Sequence, residues 1–183
     1  MRVVFAIATI ALLAACGDQV GDGSRDGANN AATVEIGNST LAAAAAAPLG
    51  APVSGDQAKK LMHDRHESME EIGDAMKLIG RELKGDAPDL AKVRQGAGTI
   101  ARLAPQVSAG FPPGTGPDVG KTEAKAEIWQ KPEDFADKMK TFQQAAERFN
   151  AAAQGNDLAA IRAAQGNLGK SCKACHDPYR EEH

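Results

Sequence analysis

Cys172-Lys173-Ala174-Cys175-His176 is the stretch of this 183-residue chain in which residue types and spacing together define a chemistry. Two thiols at i and i+3 share one face of a helix and can reach the two vinyl groups along one edge of a porphyrin. His176, next in sequence, can then turn its imidazole toward the iron of the ring its neighbours hold. The pattern is that of covalent haem c attachment: Cys172 and Cys175 bind the cofactor, and His176 is an axial iron ligand. Cys-x-x-Cys also serves as a thioredoxin-like redox pair, which wants a strand-to-helix context, or as half of a zinc site, which wants two more ligands. The sequence offers neither context. No Ser-His-Asp set, phosphate loop or paired-carboxylate signature accompanies the motif, so the chain is expected not to be an enzyme.

Positioning this motif requires helices, and the sequence predicts four. Ser54-Gly55-Asp56-Gln57 fits a capping box, followed by the stripe Leu61, Met62, Met69, Ile72, Met76, Ile79 and Leu83 up to Gly85, about seven turns. Asp86-Ala87-Pro88 starts a second helix with Leu90, Val93, Ala97, Ile100 and Leu103 inward, which Pro105 bends or ends. Residues 111–117, Phe-Pro-Pro-Gly-Thr-Gly-Pro, form the one long irregular loop. Pro132 suits the first turn of a third helix whose Phe135, Phe142 and Phe149 lie seven apart, ending at Gly155. Asn156 caps a fourth, where Leu158, Ile161, Gln165, Leu168, Cys172 and Cys175 alternate three and four apart. No run of β period competes. The expected fold is all-α, an antiparallel up-down four-helix bundle with a cofactor between facing helices. Aromatics are only 4% of residues, so a large apolar cofactor would supply volume the side chains lack.

Residues 1–15 have the shape of a secretory signal, with Arg2 and then an apolar run too short to span a bilayer. The run closes on Leu13-Ala14-Ala15-Cys16, which resembles a bacterial lipobox. Cleavage before Cys16 and lipidation of its thiol would tether the mature protein to a membrane in the periplasm. Residues 16–54 read as a flexible tether with an alanine run at 42–47, spanning roughly 35 Å as a random coil. Residues 55–183 carry 19 Lys+Arg and 20 Asp+Glu, a balance of −1 with no basic excess, so nucleic acid is not an expected partner.

Residues 55–183 resemble the cytochrome c-prime family, including its low-spin cytochrome c556 branch. The likeness lies in Ser171-Cys172-Lys173-Ala174-Cys175-His176-Asp177-Pro178-Tyr179-Arg180, in Phe111-Pro112-Pro113-Gly114-Thr115-Gly116 and in Glu127-Ile128-Trp129. The family takes its sixth iron position from the first helix, four residues after an arginine. Here that arginine is Arg65 and the position is Met69. High-spin members carry a non-ligating residue there and bind nitric oxide or carbon monoxide; c556-like members carry Met. By resemblance, then, Met69 is the second iron ligand, Arg65 a partner of the haem propionates and Arg180 the arginine flanking the axial imidazole. His66, three residues before Met69, leaves a second histidine ligand open on spacing, although the resemblance puts a polar residue there beside the propionates. His63 and His183 read as solvated, Met62 and Met76 as packing, and Tyr179 as packing beside the haem.

The function expected from Met69 is electron transfer by a low-spin haem with His/Met ligation, which raises the reduction potential. Its partners would be redox proteins and, through the lipid, a membrane; the resemblance also implies a homodimer through the first two helices. The alternative is a high-spin haem that senses or scavenges nitric oxide or carbon monoxide. A haem-free structural lipoprotein is the third class.

Overall fold

A computed structural model describes residues 49–182. The expected signal peptide, the lipidated Cys16, the alanine run at 42–47 and His183 lie outside the described residues. Four long helices and one short one follow in order: α1 (Gly55–Lys84), α2 (Leu90–Ser108), α3 (Glu127–Gln130), α4 (Pro132–Ala153) and α5 (Leu158–Tyr179). The long helices form the expected four-helix bundle, with α1 against α2, α2 against α4, and α4 against α5.

The helix starts differ from expectation where two polar residues compete for one cap. Asp89, not the Asp86-Ala87-Pro88 step, caps α2 by accepting from the backbone N–H groups of Ala91 and Lys92. Asp157, not Asn156, does the same for α5 toward Ala159 and Ala160. Asn156 instead accepts from Arg94, which also donates to the carbonyls of Ala153 and Gly155 at the end of α4. The capping box at Ser54 does not form: the chain enters α1 through Gly55 at φ +58°, and the Ser54 side chain makes no cap bond. Pro105 does not end α2, which continues to Ser108; the donor it lacks falls in the last turn, where the helix tolerates the loss. Chain before α1 already belongs to the bundle. Leu49 packs against the core, and the Val53 N–H donates to the Pro113 carbonyl at 2.9 Å.

The core follows the stripes. Phe135, Phe149, Ile79, Ile100, Ile161 and Leu168 are all less than 2% exposed. On α1 the apolar stripe is shorter than expected: Leu61, Met69 and Met76 are half-buried, whereas Arg65 is buried among the apolar side chains. At one end of the bundle Arg162 of α5 ties the helices together by donating to the carbonyl of Leu83 in the last turn of α1 and to that of Gly85 just past it. Toward the other end α1 and α5 stand apart, and the space between them is the site.

Candidate functional site: a haem cavity between α1, α4 and α5

A cavity of about 840 Å³ opens between α1, α4, α5 and the loop 121–124. Its α5 wall carries Cys172, Cys175 and His176. The helix spacing read from the sequence thus delivers both thiols and the imidazole to one surface. Cys175 is buried and Cys172 half-buried; burial pushes both thiols up, Cys175 to about 11. Both are free in the structure, and among the described residues no third or fourth protein ligand completes a zinc centre around them. His176 sits at the cavity mouth, where desolvation and then the charge of Arg180 lower its pKa. That favours the neutral imidazole, which is the form that ligates iron.

The opposite walls are apolar inside and charged at the rim, where exposed His66, Glu70, Asp74 and Lys77 of α1 also line the opening. Met62, Met69, Ile72 and Met76 face in from α1, and Phe135, Met139 and Phe142 from α4. Met139 reaches within 4.0 Å of the Cys175 sulfur. A volume within the range of about 300–1,000 Å³ typical of cofactor sites, an apolar interior with a polar rim, and two cysteines with a histidine on one edge fit a porphyrin attached through thioethers. These residues would hold haem c by that edge, with His176 toward the iron.

Arg65 lines the cavity but is engaged elsewhere. One terminal nitrogen donates to the Gly110 carbonyl (3.0 Å) and Thr115 Oγ1 (3.1 Å), the other to the Thr115 carbonyl (3.0 Å) and Thr122 Oγ1 (2.9 Å). Its guanidinium carbon lies 4.6 Å from the Phe111 ring centroid, a cation–π contact. Desolvation lowers its pKa to about 10, still well above neutrality, so the buried group is a cation. Arg65 therefore folds the loop 110–122 against α1. Gly110 permits this approach, because a Cβ there would stand 2.8 Å from the Arg65 Cβ. Gly114 serves the same loop at φ +91°, where a Cβ would meet the Val53 carbonyl.

Arg180, exposed at the mouth, forms an ion pair with Glu123 at 2.6 Å. The same segment is strapped to the chain before α3: Lys125 N–H donates to the Tyr179 carbonyl and Glu181 N–H to the Glu123 carbonyl. His66 lines the cavity from its rim, exposed, 3.5 Å from Glu70; His63 is exposed and 3.2 Å from Glu67. Sequence reasoning missed Thr115, Thr122, Met139 and Asp134. Met139 could have been found, since it lies four residues after Phe135 on the same stripe; the threonines meet Arg65 only through tertiary structure.

A family model described as Cytochrome C' matches residues 60–180. The cytochrome c' of Pararhodospirillum photometricum is 37% identical over 118 residues, covering 64% of this chain and 93% of its own length. That of Alcaligenes xylosoxydans xylosoxydans is 40% identical over 101 residues, 55% of this chain and 76% of the relative. Among solved structures, cytochrome c prime from Shewanella frigidimarina superposes with a TM-score of 0.65 at 36% identity, over 70% of this chain and 99% of its own. A variant of the Alcaligenes xylosoxidans protein, solved as a nitric oxide complex, gives 0.63 at 31% identity, over 69% and 97%. A cytochrome c' described as showing ligand-controlled dimer dissociation gives 0.62 at 31%, over 68% and 97%. This company corrects the expectation drawn from Met69. Proteins named cytochrome c', one of them holding nitric oxide, favour the gas-binding alternative over a low-spin His/Met electron carrier. The physical reason is that a methionine on an apolar helix stripe fills space as readily as it ligates.

Proposed function

The chain belongs to the cytochrome c' family, and from that premise we propose that it binds nitric oxide or carbon monoxide at a five-coordinate haem iron, as a gas sensor or scavenger. Its cofactor is one covalent haem c. The observation that carries the reading is the nitric oxide complex of a similar cytochrome c prime. The cofactor supplies a ferrous iron able to take up diatomic gases. Everything else falls to the chain. Cys172 and Cys175 would hold one edge of the ring against α5, and the neutral imidazole of His176 would ligate the iron. Met69, Ile72 and Phe142 line an apolar chamber that admits small uncharged gases and disfavours water and ions, since a charged or polar group entering it loses hydration without a partner. Met69, which lines the cavity from α1, would cover the iron rather than bond it. The protein so described is a binding module that releases its ligand unchanged.

The test is Met69→Ala. If the thioether only covers the iron, the variant keeps the ferrous spectrum of the parent and associates with carbon monoxide roughly tenfold to a hundredfold faster, a barrier change of about 1.4–2.7 kcal/mol. A parent whose spectrum is low-spin and turns high-spin on the substitution would refute the reading.

The same reading places the protein in the periplasm, tethered through Cys16, on the strength of the pattern in residues 1–16. Among the described residues no helix is long and apolar enough to cross a membrane. A homodimer is part of the proposal, supported by the similar cytochrome c' whose dimer dissociates under ligand control.

A further inference from the structure

Tyr179 is the only tyrosine of the chain, and its surroundings offer more than packing. It stands four residues after Cys175 on α5, is 4% exposed and lines the haem cavity. Its hydroxyl donates to Asp134 Oδ2 at the start of α4, a carboxylate whose side chain is 56% exposed. Its ring meets Phe135 edge-on at 5.3 Å, Phe135 meets Phe111 edge-on at 4.8 Å, and Phe111 lies 6.4 Å from Trp129, the only tryptophan. Four rings thus run from the cavity to half-buried Trp129, and the first of them already holds a proton acceptor.

Removing an electron from a phenol makes it a strong acid, so oxidation is easy only where the proton can leave with the electron. The hydrogen bond from Tyr179, followed by the charge of Lys138, keeps the Asp134 carboxyl below its usual range, and therefore ionised and able to accept. Burial and Asp134 push the phenol up to about 12, so it is protonated at neutral pH. The bond satisfies a buried hydroxyl, as any acceptor would, but this acceptor is also a base open to solvent on its far side, so a proton it takes can be passed on.

We propose that Tyr179 is a redox-active tyrosine that donates one electron toward the haem when a hydroperoxide reacts there, while its proton passes to Asp134. With hydrogen peroxide and the ferrous protein the step balances. The O–O bond breaks, and the peroxide takes up two electrons and two solvent protons to leave as two waters. One electron comes from iron passing from ferrous to ferric. The other comes from Tyr179, whose O–H bond breaks to give a phenoxyl radical and a protonated Asp134. The oxidising equivalent thereby ends on a defined side chain, one ring contact from Phe135 and the route to Trp129.

The proposal needs an accessible iron and so rests on the gas-binding reading, and the experiment separates the two. Full-length ferrous protein carrying haem is mixed with one equivalent of hydrogen peroxide, frozen and examined by electron paramagnetic resonance, with and without ring-deuterated tyrosine. The expected result is an organic radical whose lines narrow on deuteration. Tyr179→Phe lowers its yield roughly tenfold or more; Asp134→Asn, which keeps a hydrogen-bond acceptor but no base, lowers it severalfold, and Asp134→Glu restores it. Carbon monoxide uptake by each variant checks that fold and iron are intact. A radical insensitive to tyrosine deuteration, or a full yield in Asp134→Asn, in protein that still binds carbon monoxide overturns the proposal and leaves the gas-binding reading standing. Protein that takes up neither carbon monoxide nor peroxide overturns both.

Discussion

Protein in which Cys172 and Cys175 are both serine is expected to emerge from a competent periplasm with no covalently bound haem, and its denatured mass should match the bare polypeptide. The two hydroxyls occupy nearly the same space as the thiols but cannot form thioethers. Cys175 is buried and Cys172 half-buried on the cavity wall, so the change leaves the α5 backbone where it is. What is lost is the link, and with it the ordering of the imidazole toward the iron. A ligand that binds only the folded state stabilises it, so the same variant should also melt earlier than the parent. Single substitutions separate the two links: Cys172→Ser or Cys175→Ser leaves one thioether, and the peptide bearing both positions still carries the mass of a haem. Mass spectrometry of that peptide decides the matter.

Arg65→Ala is expected to be the most destabilising single change in the domain. Removing the guanidinium strips a donor from the carbonyls of Gly110 and Thr115 and from the hydroxyls of Thr115 and Thr122 at once. Thr115 is fully buried, and a buried polar atom left without its partner costs about 1–3 kcal/mol. Allowing for water that enters and for loop relaxation, the total is on the order of 3–5 kcal/mol. At about 3–4 °C per kcal/mol for a domain of this size, the melting temperature should fall by roughly 10–20 °C. Arg65→Lys should recover little, because one ammonium cannot reproduce a planar fork reaching four acceptors. The haem cavity would respond too: Phe111, which lies against Arg65, is part of its wall. Thermal unfolding followed by circular dichroism measures the loss, and Soret intensity reports the wall.

The attachment motif was legible because it is local: two thiols and an imidazole within five residues need only a helix to share a face, and α5 provides it. The four helices were legible from apolar spacing, as the buried Phe135, Phe142 and Phe149 attest. Cap positions slipped where acceptors sit side by side, as at Asn156 and Asp157, since the choice depends on which neighbour Arg94 engages. Arg65 was visible as a residue but not as the anchor of a loop 45 to 57 residues away, because no local pattern records that contact. The electron-carrier function expected from Met69 was overturned for a different reason. A thioether beside an iron either bonds it or merely covers it, the two states differ by a small displacement, and the residue letter is the same in both.

Carbon monoxide titration of the dithionite-reduced protein tests the central claim most directly. A high-spin ferrous spectrum that converts to a carbonmonoxy spectrum with one gas molecule per haem is the predicted result. A sharp six-coordinate low-spin ferrous spectrum that excess carbon monoxide leaves untouched would contradict it.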